Sequence, residues 1–234
     1  MTSPINCACL IHGDKYDFDY VNKLYSQLTR AFSVPVVLHV FCEESREIPE
    51  SYIKHSLVDW NLTGSNQAWW YKIQLFDRRH FDGPVVYFDL DIVVTGALDW
   101  IVNLPLDYFW SIQDFRYLWR PSSTMMNSSV MYWDASRFWS VFDEFSVARA
   151  TALHRGDQEY LSTIIRPPLL KFFDHRSVVS WRWQAVAGGY DFVHRRHHDE
   201  SQSAWIPDTV SLLVFHGDPK PHEVTDPIVV NNWR

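Results

Sequence analysis

The sequence predicts an α/β fold built on a mixed, mostly parallel central sheet flanked by helices. Two observations carry this. Residues 5–41 run apolar strand, amphipathic helix, apolar strand, the βαβ unit that requires parallel pairing. Residues 85–94 (VVYFDLDIVV) are apolar except for Asp89 and Asp91. Such a run suits a strand buried on both faces, but unpaired carboxylates inside it would cost several kcal/mol or protonate. The strand is therefore expected to end near Phe88, with the acidic pair at its carboxyl edge, where ligands bind in open α/β sheets.

The elements follow in order. Residues 5–11 form the first strand and end in the polar turn His12-Gly13-Asp14-Lys15-Tyr16. Asp19 is placed to cap a helix carrying Val21, Leu24, Tyr25 and Leu28 at helical spacing. Residues 36–41 are the second strand, and a turn-rich stretch leads to about Asn66. Residues 67–81 read as a helix bearing Trp69, Trp70, Lys72, Ile73 and Phe76, broken by Asp82-Gly83-Pro84. A short helix over 98–102, strands over 108–113 and 127–133, a helix capped by Ser136 and another opening at Asp157 come next. The last strand covers 210–215 and runs into His216-Gly217-Asp218-Pro219-Lys220-Pro221.

With 234 residues and no low-complexity linker or repeat, the chain reads as a single domain, 1–234. The formal charge of -7 argues against a nucleic-acid partner. The three cysteines, Cys7, Cys9 and Cys42, fall in predicted strands without zinc spacing, so no disulfide framework or structural metal is expected. No secretory signal and no apolar run of ~20 residues is visible, which leads to the expectation of a cytoplasmic chain with no transmembrane segment. Asn61-Leu62-Thr63 matches a glycosylation acceptor and is read as a chance match.

Asp-x-Asp at the end of a buried strand suits Mn²⁺ or Mg²⁺, and Mn²⁺ also takes imidazole, which makes His216 the candidate third ligand. Gly217 beside it lets backbone approach a ligand, and Lys220 can reach a phosphate. Each has a plainer reading: turn carboxylates, a structural histidine, a solvated cation. Residues 194–198 (HRRHH) read as a solvated loop, with an anionic acceptor or a second metal site as the sharper reading. Trp181 and Trp183 alternate as on one buried strand face, or line an acceptor cleft.

The order of these landmarks resembles the GT-A fold glycosyltransferases, closest to the retaining family 8 that includes glycogenin and the lipopolysaccharide galactosyltransferases. The matching stretches are Gly13-Asp14-Lys15-Tyr16, Lys72 on its helix, Tyr87-Phe88-Asp89-Leu90-Asp91, Asn127-Ser128-Ser129-Val130, Asp157-Gln158-Glu159, and Phe215 through Pro221. The departures are Ser129 for a glycine, Lys72 where arginine is common, a tighter terminal motif and no tryptophan after Pro221. The resemblance implies transfer of a sugar from a nucleotide-sugar donor, a UDP-sugar, with retention, to a glycan, lipid or protein acceptor. It implies Mn²⁺ (or Mg²⁺) on Asp89, Asp91 and His216. Asp14 and Tyr16 would meet the base, Asp89 the ribose, and Gly217 and Lys220 the phosphates. Lys72, Asn127, Asp157 and Gln158 would surround the sugar, with Gln158, Asp157 and Lys220 the catalytic candidates. A nucleotidyltransferase forming a nucleotide sugar and a catalytically silent nucleotide- or sugar-binding module are the alternatives. The first would normally carry a glycine-rich basic loop after strand one, where this chain has a single glycine.

Overall fold

A computed structural model describes residues 3–62, 68–186, 190–191, 196–197 and 204–234. In chain order the strands are β1 (Ile5–Leu10), β2 (Val36–Cys42), β3 (Ile53–Ser56), β4 (Pro84–Phe88), β5 (Ile92–Val94), β6 (Phe109–Gln113), β7 (Met126–Asp134), β8 (Leu170–Phe172), β9 (Val178–Ser180), β10 (Tyr190–Asp191), β11 (Arg196–His197) and β12 (Leu212–Val214). The α-helices are α1 (Asp19–Ala31), α2 (Asp99–Val102), α3 (Ser140–Asp143), α4 (Val147–Leu153), α5 (Asp157–Ile164) and α6 (Pro227–Asn232). Apart from Arg196 and His197, whose backbone forms β11, the basic run at 194–198 lies outside the described residues, as does Thr63.

The central sheet has the order β3-β2-β1-β4-β7-β6-β8. β3, β2, β1 and β4 are mutually parallel, β7 is antiparallel to both β4 and β6, and β8 is parallel to β6. A second sheet, β5-β12-β9, stands beside it. β1 and β4 are covered on both faces. Cys7, Cys9, Val86 and Phe88 pack into one hydrophobic cluster with α1. Ala8, Val85 and Tyr87 pack into another with Trp70, Ile73 and Phe76. That double burial explains why both strands read as unbroken apolar runs rather than alternating ones. The three cysteines are buried and unpaired, and burial raises the thiol pKa of Cys7 and Cys9.

β4 stops at Phe88, as the buried-carboxylate argument requires, and β5 begins at Ile92. Asp89 and Asp91 thus sit where the chain leaves the large sheet for the small one.

Several sequence expectations are corrected. Asp19 is the first residue of α1, not its cap; the Asp17 carboxylate accepts from the Asp19 amide instead, at 3.1 Å. Residues 67–81 do not form one α-helix. A 3₁₀ segment runs Ala68–Phe76 and is buried from Trp70 to Phe76, so no polar face marks its period. It ends because the Asp77 carboxylate accepts from the Arg79 amide at 3.0 Å, an Asx turn. Ser136 does not cap a helix. Asp134 accepts from its amide and hydroxyl in another Asx turn, and α3 starts at Ser140. Trp181 and Trp183 are not on a strand but on the helical turn Trp181–Ala185, which follows β9. There Trp181 stacks on Phe215 in the core, with ring centroids 5.1 Å apart, and Trp183 faces His216. β3, β8, β9, α4 and α6 are short elements whose periodicity the sequence did not display.

Candidate active site

One cleft of about 1030 Å³ opens at the carboxyl edge of β1 and β4. Asp14, Tyr16, Lys72, Asp89, Asp91, Asn127, Asp157, Gln158, His216, Gly217 and Lys220 all line it. Residues more than two hundred positions apart in the chain, Asp14 and Lys220 among them, therefore line one cleft.

The β1–α1 turn forms one end. Gly13 has φ +66°, a backbone state that glycine adopts without strain. Its amide donates to the Glu43 carboxylate, and its carbonyl accepts from Arg46 Nη2 at 2.8 Å. His12 stacks on Tyr71 with centroids 4.3 Å apart. Tyr16 leans on Tyr20 and donates its hydroxyl to Asp91 Oδ2 at 2.8 Å. Burial and the Asp91 charge raise the Tyr16 pKa, so the phenol remains a donor.

Asp89 is held on the opposite side. Lys72 Nζ lies 2.8 Å from its Oδ1 and 3.1 Å from its Oδ2. Tyr87, two residues back in β4, donates to Oδ1 at 2.7 Å. Lys72 also reaches Ser128 Oγ at 3.2 Å and stands 3.8 Å from Asp157 Oδ2. Burial alone would lower the pKa of this ammonium, but the Asp89 and Asp157 charges outweigh it and the net direction is upward. Asp157 moves up too, driven by burial and restrained by Lys72 and the Ser128 hydroxyl, which donates to it at 2.5 Å.

A bulge brings β7 into this wall. β6 pairs Ser111 with Met131 and then Ile112 with Asn127, so the intervening β7 residues are extra. Bulges of this kind re-aim side chains beside functional sites. The Asn127 amide oxygen accepts from the Ser129 amide at 3.0 Å, and the Gln158 side-chain oxygen accepts from the Ser128 amide at 3.1 Å. The first turn of α5 is thereby locked to the bulge.

The far wall follows β12. His216 stacks on Phe115, centroids 5.3 Å apart, and its Nε2 hydrogen-bonds the Ser180 hydroxyl at 2.6 Å. Burial pushes its pKa down to about 4, with Arg182 and Lys220 adding to the shift, so the imidazole is neutral at pH 7. Gly217 has φ +74° and turns the chain so that Lys220 comes back to Asp91, Nζ to Oδ2 2.7 Å. Tyr87, Ser128, Ser180, Phe115 and Glu43 are contributors the sequence reading passed over. Tyr87 alone had a legible signal, since it stands two residues before Asp89 where the strand runs out.

The donor set has the right chemistry for a hard divalent cation: two carboxylates and one neutral imidazole on one cleft. It is not closed around a cation, because each carboxylate holds a lysine. Among the described residues no group of three His, Cys, Asp or Glu converges on a metal-sized site.

No family model and no curated protein sequence matches the chain. Solved structures do. A galactosyltransferase, LgtC, in complex with donor and acceptor sugar analogues superposes with TM-score 0.65 at 14% identity, covering 93% of this chain and 89% of that one. The glycosyltransferase GlyE of Streptococcus pneumoniae TIGR4 gives TM-score 0.65 at 13% identity, over 99% of this chain and 62% of that one. Mouse xyloside xylosyltransferase 1 gives 0.54 at 16%, over 93% and 98%. At these identities the likeness is one of fold, and the fold is the GT-A fold of glycosyltransferases.

Proposed function

We propose that the chain is a glycosyltransferase that takes a sugar from a nucleotide-sugar donor, a UDP-sugar, in a reaction dependent on Mn²⁺ or Mg²⁺. The observation that carries this is the single cleft at the carboxyl edge of a GT-A sheet, holding both carboxylates of the Asp-x-Asp pair, His216 and two lysines. The base would enter beside Asp14 and Tyr16 and the ribose beside Asp89. The diphosphate would lie along Gly217 and Lys220. The sugar would fold back against Lys72, Asn127, Asp157 and Gln158.

Asp89, Asp91 and His216 would hold the cation. With Nε2 engaged by Ser180, His216 offers Nδ1 as its remaining donor atom, and the serine fixes the ring. Bound there, the cation would stabilise negative charge on the departing nucleoside diphosphate. Lys220 adds a fixed positive charge on the same leaving group. Asp157, buried and bonded to Lys72 and Ser128, orients the wall around the sugar, while Gln158 presents an amide at its edge. By the family resemblance the product keeps the donor's anomeric configuration, which proton NMR of the product reads directly.

Calorimetric titration of UDP with Mn²⁺ and with EDTA tests this reading. Binding that requires the cation is expected; UDP binding unaffected by EDTA would overturn the metal role. The nucleotidyltransferase alternative is disfavoured by the β1–α1 turn, whose Gly13 amide is already spent on Glu43 rather than open to a triphosphate. A silent binding module would bind UDP in the same titration but release none from any UDP-sugar.

A further inference from the structure

We propose that the acceptor is a glycan of at least two sugars, and that a second cavity beside the cleft, walled by Trp69, holds a sugar next to the one that reacts. The proposal rests on the transferase reading given above and names the class of acceptor that reading left open.

The cavity, of about 360 Å³, lies where Trp69 and Trp70 of the 3₁₀ segment meet residues 151–155, the end of α4 and the turn into α5. That volume is at the low end for small-ligand sites. Trp69 and Arg155 line both this cavity and the large cleft, so the two spaces adjoin at one tryptophan and one arginine. Trp69 is the exception in its segment. Trp70 to Phe76 are buried, whereas Trp69 is 36% exposed. Gly156 lets the ring come close: a Cβ there would stand 3.0 Å from Trp69 Nε1. The indole therefore rests against the backbone immediately before Asp157 and Gln158.

The chemistry of the walls favours a sugar. An exposed indole offers an apolar face to the C–H side of a pyranose, and the hydroxyls around that ring need hydrogen-bond partners. Arg155 supplies donors. Its Nε, Nη2 and backbone amide engage Glu159 at 2.7, 2.6 and 2.9 Å, which holds the guanidinium at the rim while the side chain stays 83% exposed. A guanidinium carries five N–H donors, more than this one carboxylate takes. Thr151 donates its hydroxyl to the Val147 carbonyl at 2.9 Å and keeps its oxygen as an acceptor. An acyl chain in the same place would strip water from Arg155 and His154 without replacing its hydrogen bonds. A glycan whose reacting sugar lies beside Gln158 would reach this cavity by running past Arg155 onto Trp69.

The test is saturation-transfer NMR titration with maltotriose, cellotriose, chitotriose and xylotriose and with the corresponding single sugars, in the presence of Mg²⁺ and UDP. Wild type, Trp69→Ala, Trp69→Phe and Thr151→Arg are compared, each checked for fold by circular dichroism. Thr151 is exposed on α4 and lines the small cavity but not the cleft, so Thr151→Arg obstructs the one and leaves cation-dependent UDP binding unchanged. At least one trisaccharide is expected to bind wild type about tenfold more tightly than its single sugar. Trp69→Ala and Thr151→Arg are expected to lose that gain, and Trp69→Phe to keep most of it. Trisaccharides that bind no more tightly than single sugars, or a gain that survives in both Trp69→Ala and Thr151→Arg, would overturn the subsite; UDP binding retained in wild type would leave the transferase reading intact. Decanoate bound at Trp69 in place of every sugar would overturn it as well. Absence of UDP binding in wild type, with or without sugar, would instead sink the transferase reading and the acceptor role with it.

Discussion

Asp89 and Asp91 are two residues apart, yet their surroundings are built from opposite ends of the chain. Asp89 is gripped by Lys72 and Tyr87, both anchored in the hydrophobic cluster under the sheet. Asp91 is met by Lys220 from the C-terminal loop and by Tyr16 from the β1–α1 turn. The first environment is architecture, set by the packing of β4, the 3₁₀ segment and the β7 bulge. The second is a meeting of loops across the cleft mouth. Identical side chains on one short stretch therefore sit in two differently built environments.

The largest expected effect breaks the structural side. Lys72→Met removes a buried cation and leaves Asp89 and Asp157 facing each other without it. Breaking a buried pair in this way costs about 3–5 kcal/mol, measurable as a lowered urea midpoint. Lys220→Met at the same assay is expected to lose less than Lys72→Met, because Lys220 partners one carboxylate whereas Lys72 stands between two, Asp89 and Asp157. Equal losses for the two lysines would erase the distinction. Next comes Asp91→Asn, which is expected to weaken cation-dependent UDP binding by about 100-fold or more while the circular dichroism spectrum stays wild type. His216→Ala is expected to cut turnover about 10- to 100-fold, with a smaller change in unfolding free energy; wild-type turnover would remove it from the cation site. Smallest is Tyr87→Phe. Asp89 keeps Lys72, so the loss is about 1.5 kcal/mol, the low end for one hydrogen bond to a charged group.

Much of the sheet and cleft was legible because it rests on strong local signals. The doubly buried strand forced the Asp89/Asp91 edge, and the βαβ opening forced parallel pairing of β1 with β2. The order of motifs then named the residues that line the cleft. What was hidden is instructive. Residues 70–76 are buried on every face, so no period betrays their 3₁₀ geometry. β8 and β9 are three residues each, below the length at which alternation shows. Ser128 and Ser180 reach Asp157 and His216, which are distant in sequence. The pairing of Asp89 with Lys72 and of Asp91 with Lys220 is a tertiary fact with no local trace.

A second histidine site gives a contrast to His216. His39 and His55 bond at 2.8 Å, and His55 and His80 at 3.0 Å, with Asn6 Oδ1 3.3 Å from His39 and Phe41 and Phe81 packed around them. Burial lowers His39 and His55 to about 4, and His80 also falls, with Asp77 opposing and Arg79 adding to its shift. Their folded pKa values lie below the unfolded value near 6.5, so the unfolded chain binds more protons between these limits. Stability is therefore complete above about pH 6.5 and declines as pH falls toward 4. Urea midpoints across that window should show the slope, and His39→Gln should flatten it; a slope unchanged in that variant would place the acid sensitivity elsewhere.

The central claim is that this cleft transfers a sugar from a nucleotide donor. The most direct measurement is UDP release from a panel of UDP-sugars, each with Mn²⁺ and with EDTA. The account predicts slow release from one donor in Mn²⁺, abolished by EDTA and by Asp91→Asn. Absence of release from every donor, in a protein that binds neither UDP nor the donors in the presence of Mn²⁺, would contradict it.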